Sequence, residues 1–143
     1  MVRFLIVAGD LTARDIPEDF IKFKDWCIKE GGKYKKVINI AGNHDNIIEN
    51  RIMMGPKHTW DSPWLSYLED SGTEFEGLKI WGSPWVKTFE GMNPKCKAFT
   101  VNAEEELEEK WALIPNDIDI LVTHSPAYGI LDWNVKGQLC EGI

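Results

Sequence analysis

The length of 143 residues allows one domain with a buried core, and the 43% hydrophobic and 27% charged content is that of a globular protein rather than a disordered one. The formal net charge of −7 argues against a protein that binds duplex nucleic acid along a basic surface, although a dication bound at a site would still allow a phosphorylated substrate. We expect residues 1–143 to form a single domain.

The first two predicted strands end in the same way. Residues 3–8 form an apolar run that stops at Gly9-Asp10, and residues 37–41 form a second run that stops at Gly42 and the triplet Asn43-His44-Asp45. Gly42 is expected to let the chain turn sharply as it leaves the sheet. Each cluster alone also fits a turn in which Asp and Asn side chains bond the local backbone.

A helix is predicted between these two strands. Pro17 marks its first turn, where the missing N–H costs nothing, and Gly31-Gly32 marks its end. Phe20, Phe23 and Cys27 recur at helical spacing and are expected to pack on the sheet. Strand, helix and strand form a right-handed crossover unit, so we expect a parallel sheet in an α/β fold.

The middle of the chain is predicted to hold a short helix, a loop and a hairpin. The helix is expected over residues 46–54, and the loop that follows carries His58. A surface position is the better interpretation of His58, with a substrate contact as the alternative. Residues 73–83 alternate in hydrophobicity around a turn at Gly77, which is typical of a β-hairpin.

The last part of the chain repeats the pattern of the first strands. A strand over 97–101 and a helix over 103–114, capped by Asn102, precede an apolar strand over 118–122. That strand ends at Thr123-His124, so an imidazole follows it. A single histidine after a strand is more often structural, but three strand ends with ligand-type side chains are not well explained separately.

These strand ends are expected to meet, because the carboxyl ends of parallel strands form the ligand-binding edge of an α/β sheet. Asp10, Asn43 and His124 would then offer a carboxylate, an amide oxygen and an imidazole to one divalent metal, with positions left open as catalysis requires. Such a metal generates hydroxide near neutral pH for in-line attack on phosphorus. His44 could protonate the leaving alkoxide or bind a phosphoryl oxygen, and Asp45 could hold its ring in one tautomer.

The three clusters resemble the ordered motifs of a known family. G-D-L-T at 9–12, A-G-N-H-D at 41–45 and T-H-S-P at 123–126 are similar in order and spacing to those of the calcineurin-like metallophosphoesterases. The likeness is greatest to a metallophosphoesterase-domain subgroup with cyclic-nucleotide phosphodiesterase-like members, and there it extends to 77–85 and 129–132. The resemblance implies a layered α/β/β/α sandwich with a dinuclear metal centre.

The resemblance also implies roles for the site residues. Asp10 would bridge the two ions, Asn43 and His124 would bind the second ion, His44 would be the catalytic acid, and Asp45 would orient His44. The expected cofactor is a divalent metal, Mn²⁺ first, with Fe, Zn or Ni as alternatives. The expected substrate is a small phosphoester or a nucleotide.

Two motifs of the family do not occur in this sequence. The D-x-H that precedes G-D and the G-H-x-H that closes the family pattern are both missing. We therefore expect a partial fold, truncated at both ends, without the first strand and the last strands, which keeps one of the two ancestral metal sites. The alternative function is a catalytically impaired remnant that acts as a binding module or forms a homo-oligomer through exposed sheet edges.

A metal-free nucleotide-binding domain is a weaker third interpretation, because the sequence has no Gly-rich phosphate loop. Cys27, Cys96 and Cys140 are widely spaced and form no C-x-x-C motif, as is typical of unpaired thiols in a reducing compartment. The apolar run near the amino terminus, over 4–8, is too short for a signal peptide or a membrane span. We expect a cytoplasmic protein without membrane partners.

Overall fold

The computed structural model describes residues 4–51, 63–133 and 137–138. The chain forms a mixed α/β sandwich, which confirms the predicted fold class. In chain order the elements are β1 (Phe4–Ala8), α1 (Pro17–Gly31), β2 (Lys36–Ile40), α2 (Asn46–Glu49), β3 (Leu65–Tyr67), β4 (Ser71–Phe75), β5 (Leu78–Ser83), β6 (Val86–Lys87), β7 (Thr100–Val101), α3 (Glu104–Trp111) and β8 (Ile120–Thr123). His58, Cys140 and the end of the helix predicted over 46–54 lie outside the described residues.

The first sheet is parallel, with the strand order β1-β2-β3. Strands β1 and β2 are in register from Phe4 opposite Lys36 to Ala8 opposite Ile40, so the loops that follow them leave the sheet side by side. Strand β3 extends the sheet beyond β2, with Val37 opposite Leu65. Sequence analysis missed β3, because a strand of three residues is too short to show a period.

The second sheet has the order β4-β5-β8. Strands β4 and β5 form the predicted hairpin, whose two turn residues, Glu76 and Gly77, both have a left-handed backbone, with φ of 50° and 83°. Two such residues are typical of the tight turn that matches the twist of paired strands. Strand β8 pairs with β5 in parallel, and its last residue, Thr123, lies opposite Ser83.

The two sheets pack face to face around an aliphatic core. Ile38 and Ile40 of β2 contact Ile80 of β5 and Val122 of β8, and all four are buried. Helix α1 covers the other face of the first sheet, where Cys27 joins residues of β2 and β3 in a second buried cluster. The layers are therefore helix, sheet and sheet.

The outer face of the second sheet is open within the described ranges. Leu121 of β8 points away from the core and is 46% exposed, while α3 contacts β6 and β7 instead of this face. The α/β/β part of the expected α/β/β/α sandwich is thus present in the residues that the structure describes. None of the described helices has the length and apolar content needed to cross a membrane.

Two predicted helices are shorter in the structure. Helix α2 is a single turn, because Arg51 adopts a left-handed backbone with φ of 59° and ends the helical path. Helix α3 begins at Glu104 rather than Ala103. Its first turn is closed by Glu106, whose carboxylate accepts the N–H groups of Ala103 and Asn102, at 3.1 Å and 2.9 Å.

The strand predicted over 97–101 is reduced to β7. The residues before it serve a different purpose, because the N–H of Ala98 donates to the carbonyl oxygen of Asn43 at 3.2 Å. This bond ties residues 95–98 to the loop that follows β2. The segment therefore supports the loop after β2 rather than a longer sheet.

Candidate metal centre

The three side chains predicted as metal ligands meet where β1, β2 and β8 end. Nε2 of His124 lies 3.0 Å from Oδ1 of Asn43 and 3.3 Å from Oδ1 of Asp10. Strand β8 belongs to the second sheet, whereas β1 and β2 belong to the first, so the cluster spans the end of the sandwich. Both sheets must therefore be correctly packed for the three groups to come together.

The ring of His124 is held in one orientation by the backbone. Its Nδ1 lies 2.8 Å from the carbonyl oxygen of Ala8, and a carbonyl oxygen only accepts hydrogen bonds. Nδ1 therefore carries a proton and donates it to Ala8. In the neutral ring, Nε2 then presents its lone pair to Asp10 and Asn43, which is the arrangement that metal-binding histidines show in proteins.

The electrostatics of the pair favour a positive charge at this point. Burial opposes the ionisation of Asp10, but its hydrogen bond and attraction to His124 outweigh burial and lower the pKa of Asp10. Burial is likewise the largest single influence on His124 and opposes its protonation, but the hydrogen bonds to Asp10 and Ala8 and the nearby carboxylates together outweigh it and raise the pKa of His124. The negative charge of Asp10 and the raised proton affinity of His124 thus both favour a positive charge between these atoms.

Asn43 is oriented by the segment that precedes β7. Its Nδ2 donates to the carbonyl oxygen of Cys96 at 3.1 Å, which turns Oδ1 toward His124. Nδ2 of Asn46 donates to the carbonyl oxygen of Lys95 at 2.8 Å and strengthens the same contact between loops. The amide oxygen of Asn43 is therefore positioned before any ligand binds.

Two glycines allow the loops to approach this closely. Gly9 has a φ of 103°, and a Cβ built on it would overlap the ring of His124. A Cβ on Gly42 would lie 2.5 Å from Oδ1 of Asp10 and 2.6 Å from Cε1 of His124. Gly42 was expected to provide a sharp turn, but its backbone is not left-handed, and what the site needs from it is space.

Asp45 joins the loops after β1 and β2. Its buried carboxylate accepts four hydrogen bonds, from the N–H groups of Leu11 (3.0 Å), Thr12 (2.8 Å) and Gly42 (2.7 Å), and from the Thr12 hydroxyl (2.9 Å). Burial raises the pKa of Asp45, and these donors act in the opposite direction. The structure does not bring its carboxylate to the ring of His44, the role that the resemblance implied, because all four bonds are made elsewhere.

His44 lies beside the three predicted ligands without joining them. Its backbone N–H donates to Oδ1 of Asp10 at 3.2 Å, and its ring Nδ1 lies 3.5 Å from the Sγ of Cys96. Sequence analysis did not connect Cys96 with the site. It follows no strand and belongs to no motif, so only the fold reveals its position.

The donor set fits one divalent cation. Carboxylate and amide oxygens with one imidazole nitrogen suit metals such as Mn²⁺, Fe²⁺ or Zn²⁺. In the part of the chain that the structure describes, no group of three or more His, Cys, Asp or Glu side chains could hold a metal. A cation held by Asp10 and His124 would therefore need the amide oxygen of Asn43 as its third protein ligand.

The match to a protein family agrees with this geometry. Residues 2–140 fit the sequence profile of the calcineurin-like phosphoesterases. The chain belongs to the calcineurin-like phosphoesterase family. Its relatives include metallophosphoesterase domain-containing protein 1 of Homo sapiens and of Mus musculus, each 34% identical over 92% of this chain. UPF0046 protein K07C11.7 of Caenorhabditis elegans is 32% identical over 90% of this chain.

Membership confirms the predicted family and carries a general chemistry with it. Calcineurin-like phosphoesterases are hydrolases of phosphoric esters, and they bind divalent metals. The chain spans 44% of the length of the human and mouse relatives and 45% of the worm protein.

Proposed function

We propose that this chain is a metal-dependent phosphoesterase, a phosphodiesterase or phosphatase that acts on a small phosphoester or a nucleotide. The observation that carries the proposal is the convergence of three acceptor atoms. Nε2 of His124 lies 3.0 Å from Oδ1 of Asn43 and 3.3 Å from Oδ1 of Asp10. Three acceptors repel one another unless a proton or a cation lies between them. The arrangement of these three atoms therefore favours the binding of a cation.

Each residue of the site has a separate role in the proposed reaction. Asp10, Asn43 and His124 would hold the cation, Mn²⁺ being well suited to two oxygens and an imidazole. When bound, a divalent cation supplies a water molecule of lowered pKa and stabilises charge on the phosphoryl oxygens. The ring of His44, next to the ligands, would donate a proton to the leaving oxygen. Asp45 would keep the two loops in place.

Metal binding and hydrolysis can be tested together with matched controls. We expect calorimetric titration to show one Mn²⁺ ion bound per chain. We also expect the chain to hydrolyse an aryl phosphodiester or phosphomonoester when Mn²⁺ is added. Loss of one direct ligand in Asn43→Ala should weaken binding by at least about tenfold, the scale already seen for outer-shell partners. The control Asn116→Ala changes an exposed asparagine and should leave both measurements unchanged.

The proposal fails if the chain binds no Mn²⁺, or if Asn43→Ala and Asn116→Ala bind it equally well. His44→Ala separates binding from chemistry. It should retain Mn²⁺ and lose hydrolysis of an alkyl phosphodiester, whose leaving group needs a proton, by roughly a hundredfold or more, since general acids contribute on that scale. Alkyl phosphodiester hydrolysis that survives in His44→Ala would remove His44 from the proposed reaction.

A binding or assembly module is the second candidate function. An open groove of about 620 Å³ runs along β1, an edge strand of the first sheet, and β8, an edge strand of the second, and is lined by Ile6 and Leu121 among others. Sheet edges of this kind favour pairing between copies. A concentration series in the analytical ultracentrifuge should then show a dimer that Leu121→Lys disrupts and Leu113→Lys, also exposed, does not. A monomer at all concentrations counts against this candidate.

We also propose a cytoplasmic location. The support is the state of the thiols, since Cys27 and Cys96 are both free and buried in the structure. Free thiols are typical of reducing compartments. Microscopy of the tagged full-length protein in its own cells would test this, and signal confined to the secretory pathway would contradict it.

A further inference from the structure

The ring of His44 has one side-chain contact that neither the motif nor the family resemblance supplies. Its Nδ1 lies 3.5 Å from the Sγ of Cys96, within hydrogen-bonding distance for sulfur. Cys96 is only 8% exposed, whereas the ring of His44 is half-buried. The described residues place no hydrogen-bond partner at the other ring nitrogen, Nε2.

The thiol is held in place by the backbone on both sides of it. The carbonyl oxygen of Cys96 accepts the side-chain amide of Asn43 at 3.1 Å, and the N–H of Ala98 donates to the carbonyl oxygen of Asn43 at 3.2 Å. Cys96 N–H donates to the carbonyl oxygen of Asn93 at 2.9 Å. The contact with His44 is thus part of a docked segment rather than an encounter of two surface side chains.

The chemistry of the pair sets the direction of the hydrogen bond. A thiol is a weak donor and a weak acceptor, whereas an unprotonated imidazole nitrogen is a good acceptor. The arrangement with S–H of Cys96 donating to Nδ1 of His44 is therefore favoured over N–H donating to sulfur. In that arrangement the proton of the neutral ring resides on Nε2.

We propose that Cys96 is a positioning residue for His44, which holds the ring in place and keeps its proton on Nε2. This is the function that the resemblance assigned to Asp45, whose carboxylate is fully engaged with Leu11, Thr12 and Gly42. An Nε2–H group is a donor that faces away from Cys96. The catalytic meaning of this arrangement rests on the proposed phosphoesterase function, but the tautomer itself does not.

The tautomer can be read in the metal-free protein by nitrogen-15 NMR of the histidine rings. In the neutral form of the ring, we expect wild-type His44 to show a protonated Nε2 and an unprotonated Nδ1. Cys96→Val fills the space without a donor and should shift both nitrogen signals toward the average of two tautomers. Cys96→Ser keeps a donor and should restore most of the wild-type pattern.

The control is Cys27→Ser, which changes the other described thiol, buried beneath α1 in a cluster that does not include His44. It should leave the His44 signals unchanged. The proposal is overturned if Cys96→Val shows the wild-type nitrogen shifts, or if His44 already carries its proton on Nδ1 in the wild type. Backbone amide spectra that match the wild type will establish that each variant is folded.

Kinetics then show whether the positioning matters for the reaction. With Mn²⁺ present, Cys96→Val should lower kcat roughly tenfold on an alkyl phosphodiester, part of a general acid's full contribution, while KM stays constant. An aryl phosphodiester, whose leaving group needs no proton, should be affected less. If NMR shows the expected tautomers but the chain hydrolyses nothing, the phosphoesterase proposal fails and the assignment of Cys96 stands.

Discussion

His124 donates from Nδ1 to the carbonyl oxygen of Ala8 at 2.8 Å, and this bond joins the end of β8 in one sheet to the end of β1 in the other. The candidate metal site is thus part of the packing between sheets. The bond to Ala8 orients the ring of His124, whose other nitrogen, Nε2, faces Asp10 and Asn43. A variant that disturbs sheet packing will disturb ligand geometry as well.

Gly42→Ala tests the need for space at the site. The added Cβ would lie 2.5 Å from Oδ1 of Asp10 and 2.6 Å from Cε1 of His124, so one of these groups must move. We expect Mn²⁺ affinity in calorimetry to fall and the free energy of unfolding to drop by about 1–3 kcal/mol, the usual cost of overpacking.

Gly32→Ala is the matched control for this prediction. Gly32 follows α1 with a right-handed backbone, φ of −63°, and a Cβ there would meet nothing within 4 Å. We expect unchanged Mn²⁺ affinity and equal or slightly higher stability, because alanine restricts the unfolded chain. Equal metal affinity for Gly42→Ala and Gly32→Ala would show that the loops do not need this close approach.

Asp45→Asn tests the connection between the two loops. Each carboxylate oxygen of Asp45 accepts two hydrogen bonds, so an amide NH₂ in either position would face two donors in a buried site. Leaving such donors unsatisfied should cost about 2–4 kcal/mol of unfolding free energy in urea denaturation. Asp25→Asn, at an exposed position, is expected to change it by less than about 0.5 kcal/mol.

Part of this site could be predicted from the sequence. The predictable residues each follow a strand, whereas the missed contacts join loops that are distant in sequence. Asp10, Asn43 and His124 each follow an apolar strand, and parallel strand ends converge by geometry, so their meeting could be expected. The partners of Asp45 and His44 depend on which loops approach each other. Cys96 lies 52 positions from His44 in sequence, and no local period encodes that contact.

In the fold, too, the local features could be predicted from the sequence and the features that depend on distant contacts could not. The hairpin was predictable because its turn and alternation are local, and so were the strands β1, β2 and β8. Strand β3 was missed because three residues carry no period, and α2 ends at Arg51 through a backbone angle that residue type does not reveal. Residues 95–98 were assigned in part to a strand because docking against another loop leaves no signature in composition.

The pair formed by His124 and Asp10 predicts the pH dependence of stability without metal. The raised pKa of His124 stabilises the fold fully below its unfolded value, near 6.5, and this contribution is lost as pH rises through the folded pKa. The lowered pKa of Asp10 stabilises the fold above its unfolded value, near 3.8, and this contribution is lost as pH falls. Their combined effect is therefore largest between these two values.

Urea denaturation of the metal-free chain across pH will test this window. We expect the difference in unfolding free energy between wild type and His124→Gln to be greatest between about pH 4 and pH 6.5 and to shrink at higher pH. Mn²⁺ affinity should change in the opposite sense and increase as His124 loses its proton. A stability difference that grows above neutral pH would contradict the assigned protonation of the pair.

The most direct test of the account is pulsed electron paramagnetic resonance of the Mn²⁺-loaded chain, which detects an imidazole nitrogen bound to the ion. We predict a directly coordinated histidine nitrogen that is present in the wild type, in His44→Gln and in His58→Gln, and is absent in His124→Gln. Bound Mn²⁺ without a nitrogen coupling, or a coupling that persists in His124→Gln, would contradict the claim that the three strand ends share one cation.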